Sequence, residues 1–241
     1  MAWWYAVIAS RAELQNPTSA EKIRLLGDVL RLGPESHLLD IGGGRGGPAS
    51  LLVREFGCRV TLVELAPEFA QVARERDERI EVFECDAKDF AIEPGGYDAA
   101  MCLGATFAFD GLVPTVRALA QAVPQRGLIA VGEAYWRVWP LPEGLEPAEA
   151  ALGGDDLVPL PETVERFESG GVELVSLIAS SQDDWDRYES LHWATLDEWL
   201  AANPDHPQAE EFRERGRQQR DRHLRWRREL MGWAILVGRV P

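Results

Sequence analysis

The sequence predicts one doubly wound α/β domain, in which helices cover both faces of a mostly parallel sheet. Three observations support this fold class. Short apolar strands alternate with amphipathic helices along the first half of the chain. A glycine-rich turn separates the first of these strands from its helix, and one more apolar strand closes the chain after a long helical stretch. A length of 241 residues suits one such domain with an insertion.

The apolar periodicity places each element in order along the chain. Predicted strands lie at residues 37–41, 59–63, 80–84, 97–103, 126–133, 172–179 and 233–238. Predicted helices lie at residues 18–32, 48–56, from 67 onward, 114–123 and 163–169, and in two pieces within 181–230. Thr18 and Glu21 have the spacing of a capping box and predict the start of the first of these helices.

The residues outside this alternation are predicted to cover the domain. We treat residues 1–241 as a single domain with an N-terminal helical cap at 1–36. The segments 134–162 and 180–231 are predicted insertions that form a substrate lid. The N-terminus is rich in aromatic residues, which favours its packing on the domain.

The composition excludes several classes of protein. Hydrophobic residues make up 46% of the chain, yet no apolar run approaches the roughly 18 residues that cross a bilayer. The N-terminus lacks the basic segment and cleavage site of a signal peptide. Cys58, Cys85 and Cys102 are too few and too scattered for a disulfide framework or a zinc site. We therefore expect a cytoplasmic protein without a membrane partner or a bound metal.

The charge is strongly negative and unevenly distributed. The formal net charge is −15 at pH 7, with acids concentrated in residues 133–205 and arginines in residues 212–228. Because an acidic protein repels phosphate, no nucleic-acid partner is expected. Solvated surface is the default interpretation of the arginine-rich helix at 206–230. The alternatives are that its arginines contact the acidic lid, a carboxylate-bearing substrate or a second subunit. The oligomeric state stays open.

A glycine turn marks the expected ligand site. The first strand, at residues 37–41, is followed by five glycines within residues 42–47, and Pro48 then begins a helix. Glycine lets the backbone approach a ligand closely. We also expect the N–H groups of the new helix to point at that ligand.

Two motifs fit this turn. Gly42, Gly44 and Gly47 have the spacing G-x-G-x-x-G of dinucleotide sites. The alternative spacing, acid-x-G-x-G-x-G, is met by Asp40, Gly42, Gly44 and Gly46. A carboxylate at Asp40 would repel a pyrophosphate and attract a cation. Asp40 therefore favours the second motif.

Glu64 ends the second predicted strand. A carboxylate in this position accepts hydrogen bonds from the two hydroxyls of a ribose. Nicotinamide dinucleotide proteins share the feature, so Glu64 does not separate the two ligands.

Asp40 before the glycines, Asp86 at the end of the third strand and the closing strand at 233–238 carry a family resemblance. The chain resembles class I S-adenosylmethionine-dependent methyltransferases of the small-molecule type. The resemblance implies a seven-stranded sheet of order 3-2-1-4-5-7-6, with the last strand antiparallel and a helical insertion before it. It also implies S-adenosylmethionine as cofactor, S-adenosylhomocysteine as product, and no metal.

The resemblance further implies which residues bind the cofactor. Asp86 would accept a hydrogen bond from the adenine amino group, and Leu65 and Ala87 would enclose the ring. The full implied set is Asp40, Gly42, Gly44, Gly46, Glu64, Leu65, Asp86, Ala87 and Leu103. The segment 104–106 lacks the N/D-P-P-Y/F motif of amino-methylating DNA enzymes, which favours a small-molecule acceptor.

The acceptor is expected to bind between the sheet and an aromatic lid. Trp185, Tyr188 and His192 share one face of a predicted helix, Trp136 follows the fifth strand, and Tyr5 lies near the N-terminus. These five residues are the predicted substrate contacts. The alternative interpretation of the helical stripe is a core face that docks the lid on the sheet.

Methyl transfer from a sulfonium is an in-line displacement whose leaving group needs no acid. A catalytic base is therefore required only if the acceptor must lose a proton. His192 is the first candidate because an imidazole titrates near neutrality, and Glu133 is the second. The sequence thus predicts a methyltransferase acting on a small molecule. An NAD-dependent oxidoreductase and a non-catalytic S-adenosylmethionine-binding protein are the alternatives.

Overall fold

Seven strands form one sheet in the computed structural model, which describes residues 2–143 and 157–241. The strands are β1 (His37–Ile41), β2 (Arg59–Glu64), β3 (Ile80–Glu84), β4 (Ala99–Leu103), β5 (Leu128–Trp136), β6 (Glu173–Ala179) and β7 (Met231–Arg239). The helices are α1 (Ala2–Ile8), α2 (Ala20–Val29), α3 (Gly47–Phe56), α4 (Pro67–Arg74), α5 (Leu112–Ala122), α6 (Leu160–Ser169), α7 (Gln182–Ala202), α8 (Ala209–Arg222) and α9 (Arg228–Leu230).

The strand order across the sheet is β3-β2-β1-β4-β5-β7-β6, and β7 runs antiparallel to β5 and β6. The pairs among β1 to β5 are parallel. The predicted fold class is therefore confirmed, including the antiparallel last strand. Because these five strands are parallel, their carboxyl ends meet at one edge of the sheet, here called the carboxyl edge.

Alternate residues of the strands enter two different cores, one on each face of the sheet. The even-numbered residues Leu38, Leu62 and Ala130 pack against α2 and α3. The odd-numbered residues Leu39 and Val131 pack against α5 and α6. Within each of these strands, odd-numbered and even-numbered residues therefore meet different sets of helices.

β5 is longer than the sequence predicts. It pairs with β7 from Leu128, opposite Arg239, to Trp136, opposite Met231. The predicted end at Glu133 is wrong because the pairing partner lies far away in the sequence. Trp136 therefore belongs to the strand, and not to a loop beyond it. Residues 144–156 of the predicted lid lie outside the described residues.

The N-terminus of α2 differs from the predicted capping box by one residue. Ser19 is the N-cap, with extended backbone at φ −132° and ψ 160°, and its side chain accepts a hydrogen bond from the Lys22 N–H. Thr18 is buried before the helix. The predicted role of Thr18 is wrong because the side chain of Ser19 reaches the first turn instead.

α7 and α8, which lie between β6 and β7 in the chain, form a cap together with the N-terminal α1. Trp4, Val7 and Ile8 of α1 pack against Leu196 of α7 and Phe212 of α8. The N-terminal helix is thus held by the insertion before the last strand. Among the described residues, no helix combines the length and apolar character needed to span a bilayer.

The arginine-rich stretch contacts the acidic α7. α8 continues through a π-helical segment, His223–Arg227, into α9. Arg228 donates hydrogen bonds to both carboxylate oxygens of Asp186, at 2.9 and 2.8 Å. The Nε2 atom of His223 lies 3.2 Å from Asp186 Oδ1. For Arg228, the alternative of contact with the acidic lid is therefore the one observed.

Asp184 fastens the first turn of α7 to α2. Its carboxylate accepts hydrogen bonds from the Ser181 N–H and hydroxyl, at 2.8 and 2.7 Å, and forms an ion pair with Lys22. Burial by itself would raise the pKa of Asp184, but the hydrogen bonds from Lys22 and Ser181 outweigh it and lower the pKa. The buried carboxylate is thus compensated on several sides.

We expect Asp184→Ala to lower the free energy of unfolding by about 3 kcal/mol, because it leaves Lys22 and the helix terminus without their partner. Urea unfolding followed by circular dichroism measures the loss. Glu214→Ala is the control, since Glu214 pairs with Arg217 where both side chains are about half exposed, and it should cost less than about 1 kcal/mol. Equal losses in the two variants would contradict this role of Asp184.

Candidate active site

The glycine turn joins β1 to α3 at the carboxyl edge. Gly42 and Gly44 have φ values of +66° and +58°, in the left-handed region that favours glycine. A Cβ atom on Gly42 would lie 2.4 Å from Ala105 Cβ, and one on Gly44 would lie 2.1 Å from Gln15 Oε1. Backbone conformation and close approach therefore both require glycine here.

The chain itself uses the N–H groups of this turn. Each N–H from residue 42 to residue 46 donates a hydrogen bond within the protein. The acceptors, in order, are Val63 O at 2.8 Å, Val63 O at 3.3 Å, Glu64 Oε2 at 2.9 Å, Gln15 Oε1 at 2.9 Å and Gly43 O at 3.0 Å. These five N–H groups are therefore used within the protein. The expectation for the N–H groups of the helix itself, which begins at Gly47, stays a prediction.

Asp40 lies beneath the turn and is 2% exposed. Its Oδ2 atom is buried without a hydrogen-bond partner among the described residues. Burial, and to a smaller extent the charge of Glu64, raises the pKa of Asp40 to about 8. The carboxyl is therefore mostly neutral at pH 7, and a nearby cation would favour its ionised form.

Glu64 connects the end of β2 to the turn. Its carboxylate accepts hydrogen bonds from the N–H groups of Gly44, at 2.9 Å, and Ala66, at 2.8 Å. Burial raises the pKa of Glu64, and these backbone hydrogen bonds partly offset that effect. Glu64 thus places a second carboxylate on the same side of the sheet as Asp40.

The remaining predicted cofactor residues follow β2, β3 and β4 along the same edge. Leu65 is 65% exposed, whereas Ala87 and Leu103 are buried. Asp86 Oδ1 accepts a hydrogen bond from the Lys88 N–H at 2.9 Å. The topology therefore brings the predicted cofactor residues to one continuous edge.

Residues 13–17, here called the strap, cross over the glycine turn. Gln15 Oε1 accepts the hydrogen bond from the Arg45 N–H, and Asn16 Nδ2 donates to Leu103 O at 2.8 Å. A Cβ atom on Gly104 would lie 2.2 Å from Asn16 Oδ1. Sequence reasoning missed both carboxamides, because a glutamine and an asparagine in a loop belong to no motif.

Three of the predicted substrate residues meet in an aromatic cluster beside the strap. Tyr5 of α1 lies 6.3 Å from His192 and 6.2 Å from Phe69 of α4, measured between ring centroids. Tyr188 lies 4.3 Å from His192. Burial raises the pKa of both tyrosines, so they remain neutral phenols. The Tyr5 hydroxyl also donates to the strap at Gln15 O, at 3.3 Å.

His192 is the titratable group of this cluster and is 6% exposed. Burial lowers its pKa to about 4. Its Nε2 atom is buried and has no hydrogen-bond partner among the described residues. The imidazole is therefore neutral at pH 7, with one ring nitrogen unpaired.

Trp136 and Trp185 pack in the core next to this cluster, and the Trp185 ring lies 6.4 Å from the Tyr188 ring, measured between centroids. They are 1% and 4% exposed and pack in the same core as Trp233. Their indole N–H groups have no hydrogen-bond partner among the described residues. The substrate contact of these two residues stays a prediction, and their observed position is that of core side chains.

The structure separates the two candidate bases. Glu133 Oε2 accepts a hydrogen bond from Thr106 Oγ1 at 2.7 Å. Glu133 also borders a cavity of about 20 Å³ with Thr163 and Arg166, on the face of the sheet that carries α6. His192 lies instead in the cap. The two residues therefore have different neighbours.

Comparison with known proteins identifies the family. A family model described as a methyltransferase domain matches residues 38–127. The uncharacterized protein YjhP of Escherichia coli K12 is 31% identical over 239 residues, which cover 97% of this chain and 96% of YjhP.

Two crystal structures agree with this result. A SAM-dependent methyltransferase from Geobacter sulfurreducens, in complex with S-adenosyl-L-homocysteine, has a TM-score of 0.90 at 31% identity, covering 99% of this chain and 98% of that one. A second, from Thiobacillus denitrificans in complex with the same molecule, also has a TM-score of 0.90 at 31% identity, covering 98% of each chain. The chain belongs to the S-adenosylmethionine-dependent methyltransferases.

Proposed function

We propose that this methyltransferase acts on a small-molecule acceptor, which binds between the carboxyl edge and the aromatic cluster of Tyr5, Tyr188 and His192. The observation that carries the proposal is the unpaired Nε2 of His192, a neutral imidazole nitrogen buried within that cluster. A buried polar atom without a partner is costly unless a ligand satisfies it. An acceptor hydroxyl or amine is a hydrogen-bond donor of the required kind.

The residues at the carboxyl edge fit the cofactor. S-adenosylmethionine supplies, when bound, an electrophilic methyl group on a cationic sulfonium. Asp40 and Glu64 suit a cation, and Asp40 keeps an unpartnered oxygen. The N–H groups of residues 42–46 are already used, so they offer nothing to an anion. We assign Glu64 to the ribose hydroxyls and Asp86 to the adenine amino group, with Leu65 and Ala87 on the ring faces.

An in-line transfer asks the protein to align the acceptor and to exclude water. Tyr5 and Tyr188 come from different helices, and both are neutral and largely removed from solvent. They therefore line the space beside His192 without adding charge. His192 accepts a hydrogen bond from the acceptor through Nε2. Burial lowers its pKa to about 4, below the near-neutral value expected from the sequence, so it takes the proton only as methylation makes the acceptor more acidic. Glu133 is the second candidate base, and its bond to Thr106 makes it the weaker one.

The acidic character of the chain and the closed cluster favour a small molecule over a macromolecule. A net charge of −15 opposes an approach by nucleic acid. α1 and α7 close two sides of the cluster, which leaves little access for a folded protein surface. The non-catalytic alternative would share the cofactor contacts but would have no use for an unpaired base.

Incubation with methyl-labelled S-adenosylmethionine and a metabolite extract tests the proposal. We expect the label to appear in compounds of low molecular mass and in no DNA, RNA or protein fraction. Heat-denatured enzyme is the control for spontaneous methylation. Label found only in a macromolecular fraction would refute the small-molecule acceptor.

Replacing His192 tests its role as the base. We expect His192→Gln to lower kcat by about a hundredfold or more, because it removes the proton acceptor and keeps a similar volume. The affinity for S-adenosylhomocysteine should stay unchanged. His206→Gln, in the turn between α7 and α8, is the matched control and should alter kcat by no more than about twofold. A kcat for His192→Gln equal to that of the control would remove His192 from the chemistry.

Asp40 makes cofactor binding dependent on pH. Below about pH 8 the free protein holds a proton on Asp40, and a cation beside the carboxyl favours its loss. Binding of S-adenosylmethionine should therefore release a proton, and the affinity should rise from pH 6 to pH 8, by at most about tenfold per pH unit, and then level off.

Calorimetric titration across that pH range measures this dependence. Asp40→Asn is the control, because it retains the titration of the ligand's own amino group and removes that of Asp40. The variant should therefore show a shallower pH dependence than the wild type. Parallel curves for the two proteins would show that Asp40 does not respond to the ligand.

A further inference from the structure

The strap contacts the glycine turn but has no role in the methyl transfer itself. It lies across the carboxyl edge from the glycine turn to the end of β4, so any ligand at the turn must meet it. Ser180, at the end of β6, donates its hydroxyl hydrogen bond to Pro17 O and so holds the strap at its far end. The Tyr5 hydroxyl holds it at Gln15 O.

Each strap carboxamide is fixed by one of its two polar atoms and offers the other. Gln15 is fixed through Oε1, which accepts from the Arg45 N–H at 2.9 Å. Its amide nitrogen neighbours the Tyr5 hydroxyl, and an NH₂ group has a second hydrogen to donate. Asn16 is fixed in the opposite sense, because Nδ2 donates to Leu103 O. Its Oδ1 atom accepts no hydrogen bond from the described residues and lies over Gly104.

The electrostatic surroundings of the two carboxamides differ in sign. Gln15 stands beside the N-terminus of α3, the positive end of the helix dipole. Arg76 donates to Arg45 O there, and the Nε atom of Arg45 is buried without a partner among the described residues. Asn16 stands at the end of β4, next to a backbone carbonyl and to the strand that carries Asp40.

A free donor in positive surroundings suits a carboxylate, and a free acceptor beside a carbonyl suits an ammonium. One chemical group presents both charges, namely the zwitterion of an α-amino acid. We propose that Gln15 and Asn16 recognise the aminocarboxylate end of the cofactor. Gln15 Nε2 donates to its carboxylate, and Asn16 Oδ1 accepts from its ammonium. The inference rests on the cofactor lying at the glycine turn as proposed above, and not on the nature of the acceptor.

Two ligands that differ only in this end provide the test. S-adenosylhomocysteine carries the aminocarboxylate, whereas 5′-methylthioadenosine shares the adenosine and the thioether but lacks it. Gln15→Glu is nearly isosteric and keeps an oxygen for the Arg45 N–H, but it replaces the donor by an anionic acceptor. We expect it to weaken S-adenosylhomocysteine binding by about tenfold or more and to leave 5′-methylthioadenosine binding unchanged. Calorimetric titration gives both dissociation constants.

Asn16→Ala removes the acceptor without adding charge. It should weaken S-adenosylhomocysteine binding by about fivefold, again with no change for 5′-methylthioadenosine. Glu214→Gln is the control, because the Glu214 carboxylate of α8 pairs with Arg217 where both side chains are about half exposed. It should change neither dissociation constant. Retained binding of 5′-methylthioadenosine also shows that a variant is folded.

If a variant weakened the binding of both ligands equally, the inference would be overturned, because the strap would then support the site without contacting the aminocarboxylate. Unchanged binding of both ligands to Gln15→Glu and to Asn16→Ala would overturn it as well. Failure of the wild-type protein to bind either ligand would be a different result, since it would also refute the cofactor assignment at the glycine turn. An unidentified acceptor has no influence on any of these measurements.

Discussion

The hydrogen bonds between the glycine turn and the end of β2 are the constraint on which the site depends. Val63 O and Glu64 take the N–H groups of residues 42–44, and this fixes the turn in its left-handed conformation. The same bonds remove the donors that a phosphate would use. The turn therefore offers a ligand close backbone contact and carboxylates, but no anion-binding N–H groups from residues 42–46.

The polar groups of the site are buried and only partly compensated. Asp40 and Glu64 lie on the same face of neighbouring strands, and the charge of Glu64 adds to the cost of ionising Asp40. His192 is neutral for the related reason that burial disfavours its charged form. If cofactor and acceptor bind as proposed above, the cofactor supplies a cation to Asp40 and the acceptor supplies a hydrogen-bond donor to His192.

The sequence predicts the sheet and the cofactor edge because both depend on local patterns. Strand alternation determines the parallel sheet, and Asp40, Glu64 and Asp86 are found from their positions at strand ends. The length of β5 depends on its pairing with β7, which no local pattern reveals. The helical stripe on α7 is also ambiguous locally, because Trp185 enters the core whereas His192 meets Tyr5 of α1. Side chains alternate between the two faces along a strand, so Glu133 and Trp136 point to opposite faces of the sheet. This alternation could have placed Glu133 on the face that carries α6.

The strap has a consequence for the kinetics of exchange. A ligand at the glycine turn lies under residues 13–17, and these residues are fastened to α1 by Tyr5 and to the start of the cap by Ser180. Entry and exit therefore require several contacts to break together, and α1 must move with them. With the cofactor at the glycine turn as proposed above, we expect its residence time to depend on how fast the N-terminal segment opens, independently of how fast the methyl group is transferred.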